Sequence, residues 1–99
     1  MCQPTDITVL NIGSNSLKIL KIVDGVATKR AIVTSLGDGG DRLSESAIRR
    51  TLDALKVATD EVVGELYAFA TEAVRSALNK DEFLAQAQDI LGVQIDVIS

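Results

Sequence analysis

The stretch Val9–Leu20 reads "VLNIGSNSLKIL": two apolar runs parted only by Gly13-Ser14-Asn15-Ser16. So short a break leaves the runs no room to do anything but turn back on each other. Ile7–Ile12 and Leu17–Val23 therefore read as neighbouring antiparallel strands. The second run ends at Asp24-Gly25, a dipeptide suited to a two-residue hairpin turn with positive φ at both central positions. Val26–Leu36 continues as a third strand, with Lys29 and Arg30 at a wet edge. Three strands and two short turns make an antiparallel meander.

Beyond it the period changes. Gly37–Arg42, "GDGGDR", is a loop by composition. Ser44 is placed as a helix N-cap, with Glu45 at the positive helix end. Ile48, Leu52, Leu55 and Val62 predict one apolar stripe on a helix running to about Val63 and ended by Gly64. Glu65–Thr71 is a short strand. Helix follows from Glu72, and Asn79 with Glu82 has the spacing of a capping box that restarts it. Leu84, Ala87 and Leu91 form the second stripe, Gly92 closes it, and Val93–Ile98 is the last strand. The expected fold is α/β, in the order β-β-β-α-β-α-β. The helix-separated strands pair in parallel beside the meander, as right-handed crossovers require.

Charge and composition narrow the function. A net charge of -4 does not suit a nucleic-acid surface. No apolar run approaches the ~20 residues of a membrane span. The opening "MCQPTD" lacks the pattern of a secretory signal, and Cys2, the only cysteine, cannot form an internal disulfide. A reducing cytoplasm is the expected compartment. With no histidine anywhere, the commonest general base and transition-metal ligand is missing. Chemistry here would rest on carboxylates, a hard cation or backbone donors. Cys2 reads as inert, and Asp38 and Asp41 as solvated loop charges without the further ligands of a calcium loop.

Gly13–Ser16 can be an ordinary turn or a cradle for phosphate. Three ordered stretches bear on that choice. "NIGSNSLKIL", "LGDGG" followed by "RLSESAI", and "AFATEAVRSALNKDEFL" are similar in turn to three patterns. These are an Asp-x-Gly-Ser-Asn-Ser loop, a Leu-Gly-acidic-Gly loop with its helix opening, and an Ala-Thr-x-Ala-Val-Arg-x-Ala segment. The chain thereby resembles the first half-domain of the actin-like ATPase (ribonuclease H-like) superfamily. More specifically it resembles the exopolyphosphatase/guanosine pentaphosphate phosphatase (Ppx/GppA) family. The kinases and filament ATPases of the superfamily favour threonine and a basic residue where Asn15-Ser16 stand.

The resemblance implies hydrolysis of terminal phosphoanhydride bonds in polyphosphate or guanosine pentaphosphate, at a Mg²⁺-dependent site between two lobes. It assigns Gly13, Ser14, Asn15 and Ser16 to the first phosphate loop, and Arg75 to phosphate as a cleft arginine. The other reading of Arg75 is a surface cation paired with Glu72 or Asp81. Asn11 stands where the family has a cation-holding aspartate, and so is at most a weak metal ligand. Ser35 replaces an arginine, and the loop around Gly37 is shorter. The family's last strand runs on into Ser-Gly-x-Glu-Glu-Ala, which carries the glutamate base. Here the sequence reads "IDVIS". The expectation is that residues 1–99 are a single N-terminal subdomain of a longer phosphatase, cut before that glutamate and with no catalytic residue of its own. The alternative is a non-catalytic half-domain that no longer binds phosphate. It would pair with a second copy or a partner through an exposed sheet edge or face.

Overall fold

A computed structural model describes residues 6–98. Cys2 lies outside the described residues, as do the other four N-terminal residues and Ser99. The chain forms β1 (Ile7–Ile12), β2 (Ser16–Val23), β3 (Val26–Val33), a 3-10 turn (Leu36–Gly39) and α1 (Glu45–Thr59). Then come β4 (Glu65–Ala70), α2 (Glu72–Arg75), α3 (Lys80–Leu91) and β5 (Ile95–Val97). One five-stranded sheet has the order β3-β2-β1-β4-β5. β1 lies antiparallel to β2 and parallel to β4, so the meander and the crossover half of the fold meet on it.

Alternation fixes which way the sheet faces. Thr8, Leu10 and Ile12 point to one side with Leu17, Ile19, Ala68, Ala70 and Ile95, and all are buried. Against them lie Ala47, Ala54, Leu55 and Ala58 of α1 and Phe83, Ala87 and Leu91 of α3, which complete the core. Three alanines let α1 approach the strands closely, and its buried Thr51 donates back to the carbonyl of Ala47 at 2.8 Å. The other face carries Val9, Leu20, Ile22 and Phe69, half-buried, with Tyr67 45% and Val33 77% exposed.

Much of the expected pattern stands. Asp24 and Gly25 take φ of 52° and 81°, as the hairpin turn requires. Ser44 Oγ accepts from the Ala47 amide at 3.1 Å, and Gly92 ends α3 at φ 72°. Several details differ, the shortening of the last strand from the expected Val93–Ile98 to Ile95–Val97 among them. β3 stops at Val33, because Ser35 turns left-handed (φ 51°) and Leu36 leaves the strand for the core. α1 ends at Thr59, since the amides of Asp60, Glu61 and Val62 bond three residues back in a tighter turn. Val62 thus drops out of the stripe, and Ile48 and Leu52 are only partly buried. Asn79 does not cap α3 with its side chain. Its amide instead accepts from the Leu43 N–H at 2.9 Å and donates to the Leu43 carbonyl at 3.0 Å, tying the approach of α1 to the start of α3. The largest fully buried side chain of α3 is Phe83, with Leu84 at the margin.

The return from α1 to β4 is pinned to the start of β1. Buried Thr8 donates to the carbonyl of Val63 (2.9 Å) and accepts its amide (2.8 Å), and Glu65 N–H bonds the Asp6 carbonyl at 3.0 Å. Between them Gly64 sits at φ 62°, where an added Cβ would overlap the Asp6 backbone. Gly64→Ala therefore combines a left-handed penalty of about 1–3 kcal/mol with displacement of the strand end. Its unfolding temperature should fall by about 10 °C or more in a thermal scan followed by circular dichroism.

Glu61 ties the same return to the meander, pairing with Arg30 of β3 and with Lys21 of β2 at 3.5 Å. Partial burial works against its ionisation. The hydrogen bond and charge of Arg30, then those of Lys21, outweigh that and hold the carboxyl below its ordinary 4.5. A group depressed in the folded state stabilises above its unfolded value and loses that contribution as pH falls through the folded value. Glu61→Gln should thus flatten the loss of stability below about pH 4.5, read as unfolding midpoint against pH.

Candidate functional site

The carboxyl ends of β1 and β4 lie side by side at Ile12 and Ala70. Open α/β sheets collect ligands at such strand ends where the topology reverses. Here β1 hands over to Gly13–Ser16 while β4 hands over to Thr71. Thr71 donates its amide (3.2 Å) and its hydroxyl (3.4 Å) to the Ile12 carbonyl. A recess of about 380 Å³ opens at this point, lined by Asn11, Gly13, Ser14, Asn15, Ser16, Lys18 and Thr71.

The loop is closed by the Gly13 amide on the Ser16 carbonyl at 3.1 Å. A Cβ on Gly13 would stand 3.3 Å from that same carbonyl, so the closure is tight. The carbonyls within the turn are then drawn off it. Thr34 and Ser35 both donate to the Asn15 carbonyl at 3.0 Å, and Gly37 donates to the Ser14 carbonyl at 2.9 Å. Arg50 of α1 holds that donating segment in turn, with Nε on the Thr34 carbonyl at 2.9 Å. The Ser14 and Asn15 amides have no acceptor among the described residues. What remains around the recess is a set of donors: two free amides, the hydroxyls of Ser14 and Ser16, and side-chain amides. That set suits an anion, as successive backbone N–H groups do in a nest.

One charge belongs to the lining, that of Lys18, directly opposite Asn11 across β1 and β2. Lys18 is exposed and has no anionic partner among the described residues. Asn11 Oδ1 is shut off from solvent and has no hydrogen-bond partner among the described residues.

The structure brings Asn11, Gly13, Ser14, Asn15 and Ser16 together and leaves Arg75 outside the lining. Arg75 lies in α2 with Nη1 donating to the Ile98 carbonyl at 3.4 Å, beyond the end of β5. Sequence reasoning missed Lys18, Thr71, Thr34, Gly37 and Arg50. Lys18 was within reach of it, because a strand-turn-strand reading with a four-residue break places Lys18 across from Asn11.

A Cβ on Gly37 would meet Ser14 Cβ at 3.0 Å. Gly37→Ala should shift the amide resonances of Ser14 and Asn15 in an ¹H–¹⁵N spectrum while leaving those of α3 and β5 in place.

Comparison with known proteins takes in nearly the whole chain. Residues 10–99 match the model of the Ppx/GppA phosphatase family. A guanosine-5'-triphosphate,3'-diphosphate pyrophosphatase of Photobacterium profundum is 32% identical over 101 residues, taking in 90% of this chain and 20% of that protein. Among solved structures, the Aquifex aeolicus PPX-GPPA enzyme is 34% identical with a TM-score of 0.81, over 95% of this chain and 36% of that one. An exopolyphosphatase from Cytophaga hutchinsonii is 29% identical with a TM-score of 0.81, over 95% of this chain and 34% of that one. The chain spans a minor part of the length of the relatives it matches. Its mixed sheet and one-sided helices are the actin-like half-domain these structures share.

Proposed function

The chain belongs to the Ppx/GppA phosphatase family, and from that membership we propose that Gly13–Ser16 holds the terminal phosphate of a phosphoanhydride substrate. The substrate class is polyphosphate or a guanosine pentaphosphate, in keeping with the names of the two relatives above. Residues 1–99 act in this reading as the N-terminal subdomain of a longer hydrolase. The observation that carries it is the turning away of the Ser14 and Asn15 carbonyls, which leaves a donor-lined recess. No carboxylate lines that recess, so this chain has no base there to activate water, and hydrolysis belongs to the complete site.

The magnesium ion implied by the resemblance does not fit the residues present. Among the described residues no three His, Cys, Asp or Glu side chains gather as ligands. The recess offers a hard cation one amide oxygen from Asn11, some hydroxyls and a neighbouring ammonium. Mg²⁺ sheds water reluctantly and is ordinarily held through carboxylates and substrate phosphates.

An ¹H–¹⁵N titration of the chain with tripolyphosphate tests the reading. Saturable shifts are expected at Gly13–Ser16, and Ser16→Ala should weaken binding about tenfold to a hundredfold, the loss of one hydrogen bond to a charged group. The chain alone should not turn polyphosphate over at an enzyme-like rate. If the loop amides stay still, the phosphate reading fails. A pairing module is then the better account, favoured by the open sheet face around Tyr67 and Val33.

A further inference from the structure

The misfit between the recess and a divalent cation has a positive side. We infer that the Lys18 ammonium, with the Asn11 amide, takes over the charge role of a cation, so that the loop binds an oligophosphate end directly and without Mg²⁺. This rests on the phosphate reading above and adds the way the site neutralises its ligand.

Register brings the two residues together. Six consecutive pairs, Ile7↔Ile22 through Ile12↔Leu17, lock β1 to β2 and set Asn11 opposite Lys18 on the open face. Directly opposed residues hold their Cβ atoms about 4.5–5.5 Å apart, so the two side chains leave the sheet as a pair. Both line the loop recess, and both also line the adjoining groove on the open sheet face.

Charge then selects the ligand. The lining sums to one positive charge and otherwise neutral donors, which repels a dication and attracts a phosphate chain. Lys18 has no carboxylate to satisfy it among the described residues, so its ammonium is available as a point charge for phosphate oxygens. The Asn11 amide can present its N–H₂ to an anion or its oxygen to the ammonium. Only the second contact would satisfy the oxygen, which is otherwise sealed in without a partner among the described residues. An aspartate at this position would set a second charge beside Lys18 and cancel the attraction. Asparagine leaves it intact.

The test is the tripolyphosphate titration of the full chain, run once with a chelator present and once with saturating Mg²⁺, on wild type, Lys18→Met and Asn11→Asp. Wild type should show saturable shifts at Gly13–Ser16 in chelator, with affinity no greater when Mg²⁺ is added. Lys18→Met keeps an exposed aliphatic chain on the strand and should lose about tenfold or more in chelator. Asn11→Asp should bind poorly in chelator and regain affinity with Mg²⁺. Wild-type binding that requires Mg²⁺ overturns the inference and leaves the phosphate loop standing. So does a Lys18→Met chain that binds like wild type with an otherwise unchanged spectrum. Absence of loop shifts in both conditions overturns the inference together with the phosphate reading.

Discussion

The fold and the site both depend on the register of β1. Its even-numbered residues, Thr8, Leu10 and Ile12, lie in the core, while Ile7, Val9 and Asn11 face the other way. A slip of one residue would exchange the two sets and drive Asn11 into the core. Exposing Leu10 and Ile12 would cost about 1.5–3 kcal/mol each, before any penalty for burying an amide. Because β1 pairs with β2 on one side and β4 on the other, that preference reaches both halves of the sheet. It sets Lys18 opposite Asn11 and brings the ends of β1 and β4 level, so that Thr71 meets the Gly13 loop.

Polar groups in the interior follow a pattern that sharpens the picture. Thr8 is satisfied by the Val63 backbone, Thr51 by the Ala47 carbonyl, and the Asn79 amide by the Leu43 backbone. The Thr8 and Asn79 pairings each lock one connection of the chain against a neighbouring element, while that of Thr51 stays within α1. The two buried side-chain oxygens without a partner among the described residues are Asn11 Oδ1 and Thr34 Oγ1. Both residues flank the Gly13–Ser16 turn, one on the strand that leads into it and one on the segment that grips its carbonyl. Of the two, Asn11 lines the recess, where a ligand could supply what the fold does not.

The sequence carried the strands and turns because those follow from nearest neighbours. Asp24-Gly25 has to turn with positive φ, and Gly13–Ser16 is too short for anything but a reversal. It carried α1 through its Ser44 cap but not its true end. Propensity does not resist continuing from Thr59 to Val63, and what stops the helix is the pull of Thr8 on Val63. Asn79 shows the same limit. The spacing to Glu82 is that of a capping box, yet a long-range partner at Leu43 took its amide. At the site, the loop residues were legible as a motif. Arg50 and Gly37 were not, because Gly37 acts by a close approach to a distant loop and Arg50 by a hydrogen bond to the segment that grips it.

That long-range grip matters to what the loop can bind. A four-residue turn carries as many carbonyls as amides, and in water neither set is committed. A turn with free carbonyls would meet an anion with repulsion as readily as attraction. Here Thr34, Ser35 and Gly37 hold the carbonyls of Asn15 and Ser14, and Arg50 holds the segment from which two of those donors come. Leu36, fully buried between those donors, fixes the segment to the core. The orientation is therefore established on folding, before any ligand arrives, and the ordering cost does not fall on the binding step. On the proposed reading, anion preference at Gly13–Ser16 is set less by its hydroxyls than by a segment on the far side of a hairpin. The short loop around Gly37 is part of the site even though it need not touch the ligand.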